Sequence, residues 1–143
     1  MAETIIVDAT NLILGRMCSL IAKMLVEGEK VTIINAEKCI ITGRKRVTIE
    51  EFKKRRNRGI TPQGPYYPKM PDKIVRRTIR NMIDYKVTAR GKKGYKNLKV
   101  FISVPFELEG KQAITFEKAN IKKLKVPKYM ILEELSKEIG ARW

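Results

Sequence analysis

The chain contains no histidine. That removes the usual general base near neutral pH, the commonest metal ligand, and every Ser-His or Cys-His nucleophilic arrangement. Its two cysteines, Cys18 and Cys39, each sit inside an apolar stretch. Two thiols cannot build a disulfide framework, and they read as packed side chains in a reducing, cytosolic compartment. No run of about eighteen apolar residues occurs, so no helical membrane span is expected. The first ten residues hold Glu3 and Asp8 and no basic n-region, unlike a secretory signal. Acids are scarce as well: fifteen Asp plus Glu stand against thirty-one Lys plus Arg, a net charge of +16 over 143 residues. This excludes an acidic solvating protein and makes a polyanion the leading partner. An apolar fraction of 43% supplies a real core. The length predicts one domain over residues 1–143.

The surplus charge is concentrated. Residues 1–43 carry four basic and five acidic side chains, a net of −1. Residues 44–99 carry nineteen basic and four acidic, a net of +15, and residues 100–143 carry eight and six, a net of +2. The middle segment is therefore a binding surface or a disordered basic arm, between two nearly neutral ends.

The first segment reads as a frame. Thr4-Ile5-Ile6-Val7 and Val31-Thr32-Ile33-Ile34 are short β-branched runs of the kind found in buried strands. Between them Leu14, Met17, Cys18, Ile21, Met24 and Leu25 recur at helical spacing, with Thr10 or Asn11 as the expected cap and Gly28 as the closing residue. Strand, helix and strand make a right-handed βαβ unit. Its first turn has one glycine, Gly15, where dinucleotide and phosphate loops need two or three, so no nucleotide cofactor is expected. Gly15 reads as a close-packing position.

The middle segment alternates amphipathic helices with irregular loops. Thr48 with Glu50 and Glu51 marks a helix start, and Pro71-Asp72 marks another, whose stripe of Ile74, Val75, Thr78, Ile79, Met82 and Ile83 leaves four cations facing outward. Residues 59–70, with Pro62, Gly64, Pro65 and Pro68, form a loop, and residues 86–96 around Gly91-Lys92-Lys93-Gly94 read as a second. Leu98 to Val104 alternates like a strand, and a last helix is expected from Pro127, with Ile131, Leu132, Leu135 and Ile139 inward.

Basic residues interleaved with tyrosine, glycine and proline suit an RNA surface. Lys and Arg neutralise phosphates, the guanidinium fork binds phosphate bidentately, and tyrosines stack on unpaired bases. Zinc modules, basic zippers and short helix-turn-helix pairs, the marks of duplex-DNA readers, are not visible in the sequence. Gly91 to Gly94 has the spacing of a KH-type loop, although it leads quickly into a strand instead of joining two helices. An RNA-processing or RNA-modifying enzyme is the alternative class. The basic segment holds only Glu50, Glu51, Asp72 and Asp84 as acids, too few and too scattered for two-metal chemistry.

These residues resemble large-subunit ribosomal protein family thirteen, in its archaeal and eukaryotic branch. The matching stretches are Leu14-Gly15-Arg16, Ile21-Ala22-Lys23, Val31 to Glu37, Ile41-Thr42-Gly43, Arg58 to Tyr66 with its Gly64-Pro65-Tyr66, Arg77 to Arg80 with Met82, and Leu98 to Phe101. They run in order along nearly the whole chain. The family favours Gly-Met-Leu-Pro where this chain has Asn81-Met82-Ile83-Asp84, and an acid there argues against a phosphate contact at that point. The resemblance implies a three-layer α/β/α fold around a small, mostly parallel sheet, with basic helices and loops and a C-terminal helical extension over about residues 105–143. It implies a structural constituent of the large ribosomal subunit that binds large-subunit ribosomal RNA and neighbouring ribosomal proteins, in the cytoplasm. No cofactor, metal, membrane or small-molecule substrate is expected, and no catalysis. The residues expected to hold RNA are Arg16, then Arg44, Lys45 and Arg46, then Lys53, Lys54, Arg55, Arg56 and Arg58. Tyr66, Tyr67 and Lys69 follow in the proline loop, Lys73, Arg76, Arg77 and Arg80 on the next helix, and Lys86, Arg90, Lys92, Lys93, Tyr95 and Lys96 beyond it.

Overall fold

A computed structural model describes residues 3–143. Strand β1 (Thr4–Asp8) leads into helix α1 (Leu14–Glu27) and returns as β2 (Lys30–Ile34), which pairs with β1 in parallel. The chain then forms β3 (Ile40–Thr42) and helices α2 (Lys45–Arg56), α3 (Pro71–Met82) and α4 (Ala89–Lys96). Strand β4 (Leu98–Val100) joins β2 in parallel, so the sheet order is β1-β2-β4. Strand β5 (Tyr129–Ile131) pairs antiparallel with β3 in a separate two-stranded sheet, directly before α5 (Leu132–Glu138). The mixed α/β fold with a small, mostly parallel sheet is the one the resemblance implied.

Register explains the layering. Side chains alternate across a strand, so the rows Ile5–Val31–Leu98 and Val7–Ile33–Val100 share one face and Ile6–Thr32–Lys99 the other. The first two rows belong to the main core with Met17, Cys18, Ile21 and Leu25 of α1 and Ile74, Val75 and Ile79 of α3. Leu132 and Leu135 of α5, with Ile139 directly after it, complete the same cluster. Burial pushes the Cys18 thiol up to about 12, and burial together with the nearby Cys18 pushes Cys39 well above its ordinary value. Both are packed thiols, without thiolate chemistry at neutral pH.

Several local expectations are corrected. Helix α1 is capped by neither Thr10 nor Asn11: Ile13 stands at the N-cap, while Asn11 takes φ 58° and Thr10 bonds back to Asp8. Gly28 does close the helix, at φ 100°. Gly15 has nothing near the place a Cβ would occupy, so it is not a close-packing residue. Helix α2 starts three residues before Thr48, whose hydroxyl donates back to the Arg44 carbonyl at 3.1 Å instead of capping. The segment read as a second basic loop is α4, with Thr88 Oγ1 accepting from the Gly91 N–H at 3.0 Å as a true N-cap. The strand expected to Val104 ends at Val100, because the chain turns through Ser103 at φ 60°. Pro127 starts no helix; it precedes β5, and Ile131 lies in that strand.

At the carboxyl ends of the parallel strands a polar clasp fixes these turns. Asp8 Oδ1 accepts from the Thr10 N–H (3.0 Å), the Thr10 hydroxyl (2.7 Å) and the Asn35 side-chain amide (3.1 Å). Glu37, 5% exposed, accepts from the Ser103 N–H at 2.9 Å and ties down the turn after β4. Partial burial pushes the Asp8 carboxyl up, but the bonds from Thr10 and Asn35 and the nearby Lys38 outweigh it and hold the acid below its ordinary 3.8. A carboxyl depressed on folding stabilises the fold above its unfolded value, and this contribution is lost as pH falls through the folded value. Asp8→Asn is therefore less stable than the parent at about pH 6, and the difference in Tm narrows towards about pH 2.5. Thermal melts of the pair across that range check it; a constant difference would show that Asp8 ionisation contributes nothing.

Candidate nucleic-acid interface

Helix α3 is the centre of the basic surface. Pro71 at its first turn fixes φ for helix entry, and Ile74, Val75 and Ile79 anchor its inner face in the core. The opposite side is not a row of free cations as expected. Lys73 is exposed, but Arg76, Arg77 and Arg80 are each half-buried on a tyrosine ring. The Arg76 guanidinium lies 5.0 Å from the Tyr95 centroid, Arg77 4.2 Å from Tyr67, and Arg80 4.5 Å from Tyr85. Tyr85 and Tyr95 meet edge to face at 5.0 Å. Arg77 also donates to the Tyr66 carbonyl at 3.0 Å, tying the proline loop to the helix.

This arrangement restricts flexible side chains. A guanidinium held over a ring face has fewer rotamers open to it than one in free solvent, and it keeps its full charge. None of the three lies within ion-pair distance of a carboxylate among the described residues. The ion pairs found there are Lys45–Glu134 at 3.1 Å, Arg46–Glu50 at 3.0 Å and Lys137–Glu133 at 2.6 Å, all exposed. Of the nineteen cations in residues 44–99, only Lys45 and Arg46 belong to one of these pairs.

The other expected residues fall into groups. Lys53, Lys54, Arg55 and Arg58 are exposed on or just after α2, with Arg55 over the Phe52 ring at 5.4 Å. Arg56 turns the other way: its Nη1 donates to the Ile139 carbonyl at 2.7 Å and satisfies the carboxyl end of α5. Tyr66 is 67% exposed and its hydroxyl donates to the Thr61 carbonyl, whereas Tyr67 and Tyr95 each have a ring face covered by an arginine. Lys69, Lys86, Arg90, Lys92, Lys93 and Lys96 are exposed. Gly91 and Gly94 are buried inside α4, so they form no KH-type loop between helices; Lys92 and Lys93 sit on the outer side of that helix.

Arg16 and Arg44 line a separate cleft at the start of α1, together with Lys125 and Lys128. Those two lysines were passed over because their segment is nearly neutral in total, and only the pairing of β5 with β3 brings them beside Arg44. Tyr85 was missed for a related reason. It follows the end of α3, outside any periodic pattern, and its proximity to Arg80 comes from the turn through Asp84 at φ 52°. An Arg with a Tyr five residues later was the available signal. Among the described residues no group of His, Cys, Asp and Glu is placed to hold a metal ion.

Comparison with known proteins adds two findings. Residues 2–107 match the family model described as ribosomal protein L13. The chain is similar to the large ribosomal subunit protein uL13 of Methanosarcina barkeri, 44% identical over 139 residues that cover 96% of this chain and 99% of that one. It is similar also to the uL13 proteins of Methanococcoides burtonii (41% identity, 96% and 99% covered) and Methanosphaera stadtmanae (44%, 96% and 98%).

Proposed function

Since the chain belongs to the ribosomal protein L13 family, a family of structural components and not enzymes, we propose that it grips large-subunit ribosomal RNA by its phosphate backbone through the α2–α4 surface. As a member of that family it is a structural constituent of the large ribosomal subunit. The observation that carries the finer reading is the set of three α3 arginines stacked on tyrosines and left without acidic partners. Stacking orders the forks before RNA arrives, so less rotamer entropy is lost on binding than from free side chains. It also moves the tyrosines from base-stacking platforms to supports, which favours recognition of backbone shape over base identity. Exposed Tyr66 is the exception and remains open to a base or sugar.

Phosphate gripping releases counterions, so affinity falls steeply with salt. In filter binding with purified large-subunit rRNA, affinity should drop by about 100-fold or more between roughly 50 and 200 mM salt. A flat salt profile would exclude the phosphate-clamp mechanism.

A further inference from the structure

The sheet face opposite the helix-packed rows carries Ile6, Thr32 and Lys99 in one cross-strand row. Parallel sheets are covered on both faces in stable folds. Over this row the chain supplies an irregular segment: after β4 it turns through Ser103 into a single 3₁₀ turn, Phe106–Leu108, and then returns to bond β1 at Ile114. Ile114 donates to the Ile6 carbonyl at 2.8 Å and accepts from the Asp8 N–H at 3.0 Å. A trough of about 660 Å³ remains between this segment and the sheet. It adjoins a second depression, lined by Ile114, and the two share Glu3, Thr4 and Ile6.

Two properties set the trough apart from the rest of the surface. It is apolar where it is open: Phe106 is 87% exposed and Phe101 36%, and both line it. Its charge departs from the +16 of the chain: the trough is balanced, Glu3 and Glu107 against Lys99 and Lys111, and the depression beside it is acidic. Among the described residues, Glu3, Glu27, Glu29 and Glu107 line the two depressions together against Lys99 and Lys111, and no Lys or Arg lines the half with Glu27 and Glu29.

We infer that this trough is a protein-docking surface, and that its occupant is an extended Lys/Arg-rich segment of a neighbouring large-subunit protein, carrying apolar side chains that pack on Phe106. The inference rests on the placement of the chain in the large subunit. The acidic half, with Glu27 and Glu29, repels RNA phosphate, and the balanced half offers it no surplus of cations, which separates this face from α2–α4. It attracts a basic chain, and an exposed aromatic beside buried sheet residues is the kind of anchor that dominates such contacts.

The test places a benzophenone amino acid at position 106, where exposure leaves the fold untouched, and irradiates purified large subunits that contain the full chain. A second chain carries the same probe in place of Tyr66. The expected result is a position-106 adduct to a protein, with the attachment mapped to a Lys/Arg-rich segment, and a position-66 adduct to rRNA. Adding Glu3→Lys, Glu27→Lys and Glu107→Lys should lower the protein adduct by about tenfold and leave the RNA adduct unchanged. A position-106 adduct to rRNA, to a second copy of this chain or to an acidic segment overturns the inference, as does no adduct at 106 when 66 reaches RNA. A protein adduct at 106 with none to RNA at 66 sinks the RNA-surface reading alone. Absence of the chain from the subunit sinks both.

Discussion

Replacing Arg76, Arg77 and Arg80 together with glutamine lowers affinity for large-subunit rRNA by about 100-fold or more at moderate salt, each charged hydrogen bond contributing roughly 1.5–3 kcal/mol without full additivity. The same change removes three guanidiniums from tyrosine rings and one bond to the Tyr66 carbonyl. The stability loss should be modest, about 0.5–1 kcal/mol per stacked pair at this exposure. Helix α3 stays docked, because Ile74, Val75 and Ile79 are untouched. The triple lysine variant separates charge from geometry. It keeps the net charge but loses the planar fork, so it should fall between the other two, near a tenfold loss. Filter binding with melts on the same preparations reads both effects. A glutamine triple that binds as the parent does would reduce this face to solvated surface.

The second large effect comes from a methyl group. Gly94→Ala in an exposed helix interior would stabilise by up to about 1 kcal/mol. Here the sign inverts. A Cβ on Gly94 would stand 2.7 Å from the Leu25 carbonyl oxygen, a backbone atom near the end of α1 that cannot swing aside. Helix α4 must lift from α1, at a cost of about 1–3 kcal/mol for overpacking. It takes Tyr95, and with it the support under Arg76, out of place. Gly91 is held closer still, against the Ile83 carbonyl oxygen. Denaturant unfolding of Gly94→Ala should show a lower midpoint at unchanged slope, and RNA affinity should fall without any loss of charge. A variant as stable as the parent would show that α4 does not dock through this contact.

The helix-packed part of the fold was legible because its signals are local and periodic. Leu14 to Leu25 and Ile74 to Ile83 each announce one apolar stripe, and Gly28 and Pro71 mark real helix boundaries. Helix α4 was not legible for a physical reason: Gly91 and Gly94 break helices in isolation, yet here they permit helix packing at backbone distance. Strand β5 escaped because three residues before a helix carry no pattern, and its partner β3 lies far away in sequence. In the basic surface the cations could be counted from the sequence, but their partners could not. The spacing of Arg80 and Tyr85 was the one local hint, and it is too weak by itself to separate a stacked Arg80 from the exposed Lys73. Arg56 shows the limit most plainly, since its position among exposed neighbours hides a bond to the Ile139 carbonyl.

That bond, with the β3–β5 pairing, sets a schedule for synthesis. Ile40 waits for Ile131 and Arg56 for Ile139, so both remain unmatched while roughly eighty to ninety further residues are added, several seconds at typical elongation rates. Throughout that interval β3 presents a bare edge and α2 lacks its counterpart, while β1, α1 and β2 have already emerged in full. A nascent chain interrupted before residue 129 therefore carries the whole cationic middle without the segment that fastens it. In such a fragment the unpaired edge of β3 and the unfastened cations of α2 are exposed together, so the last fifteen residues close both at once.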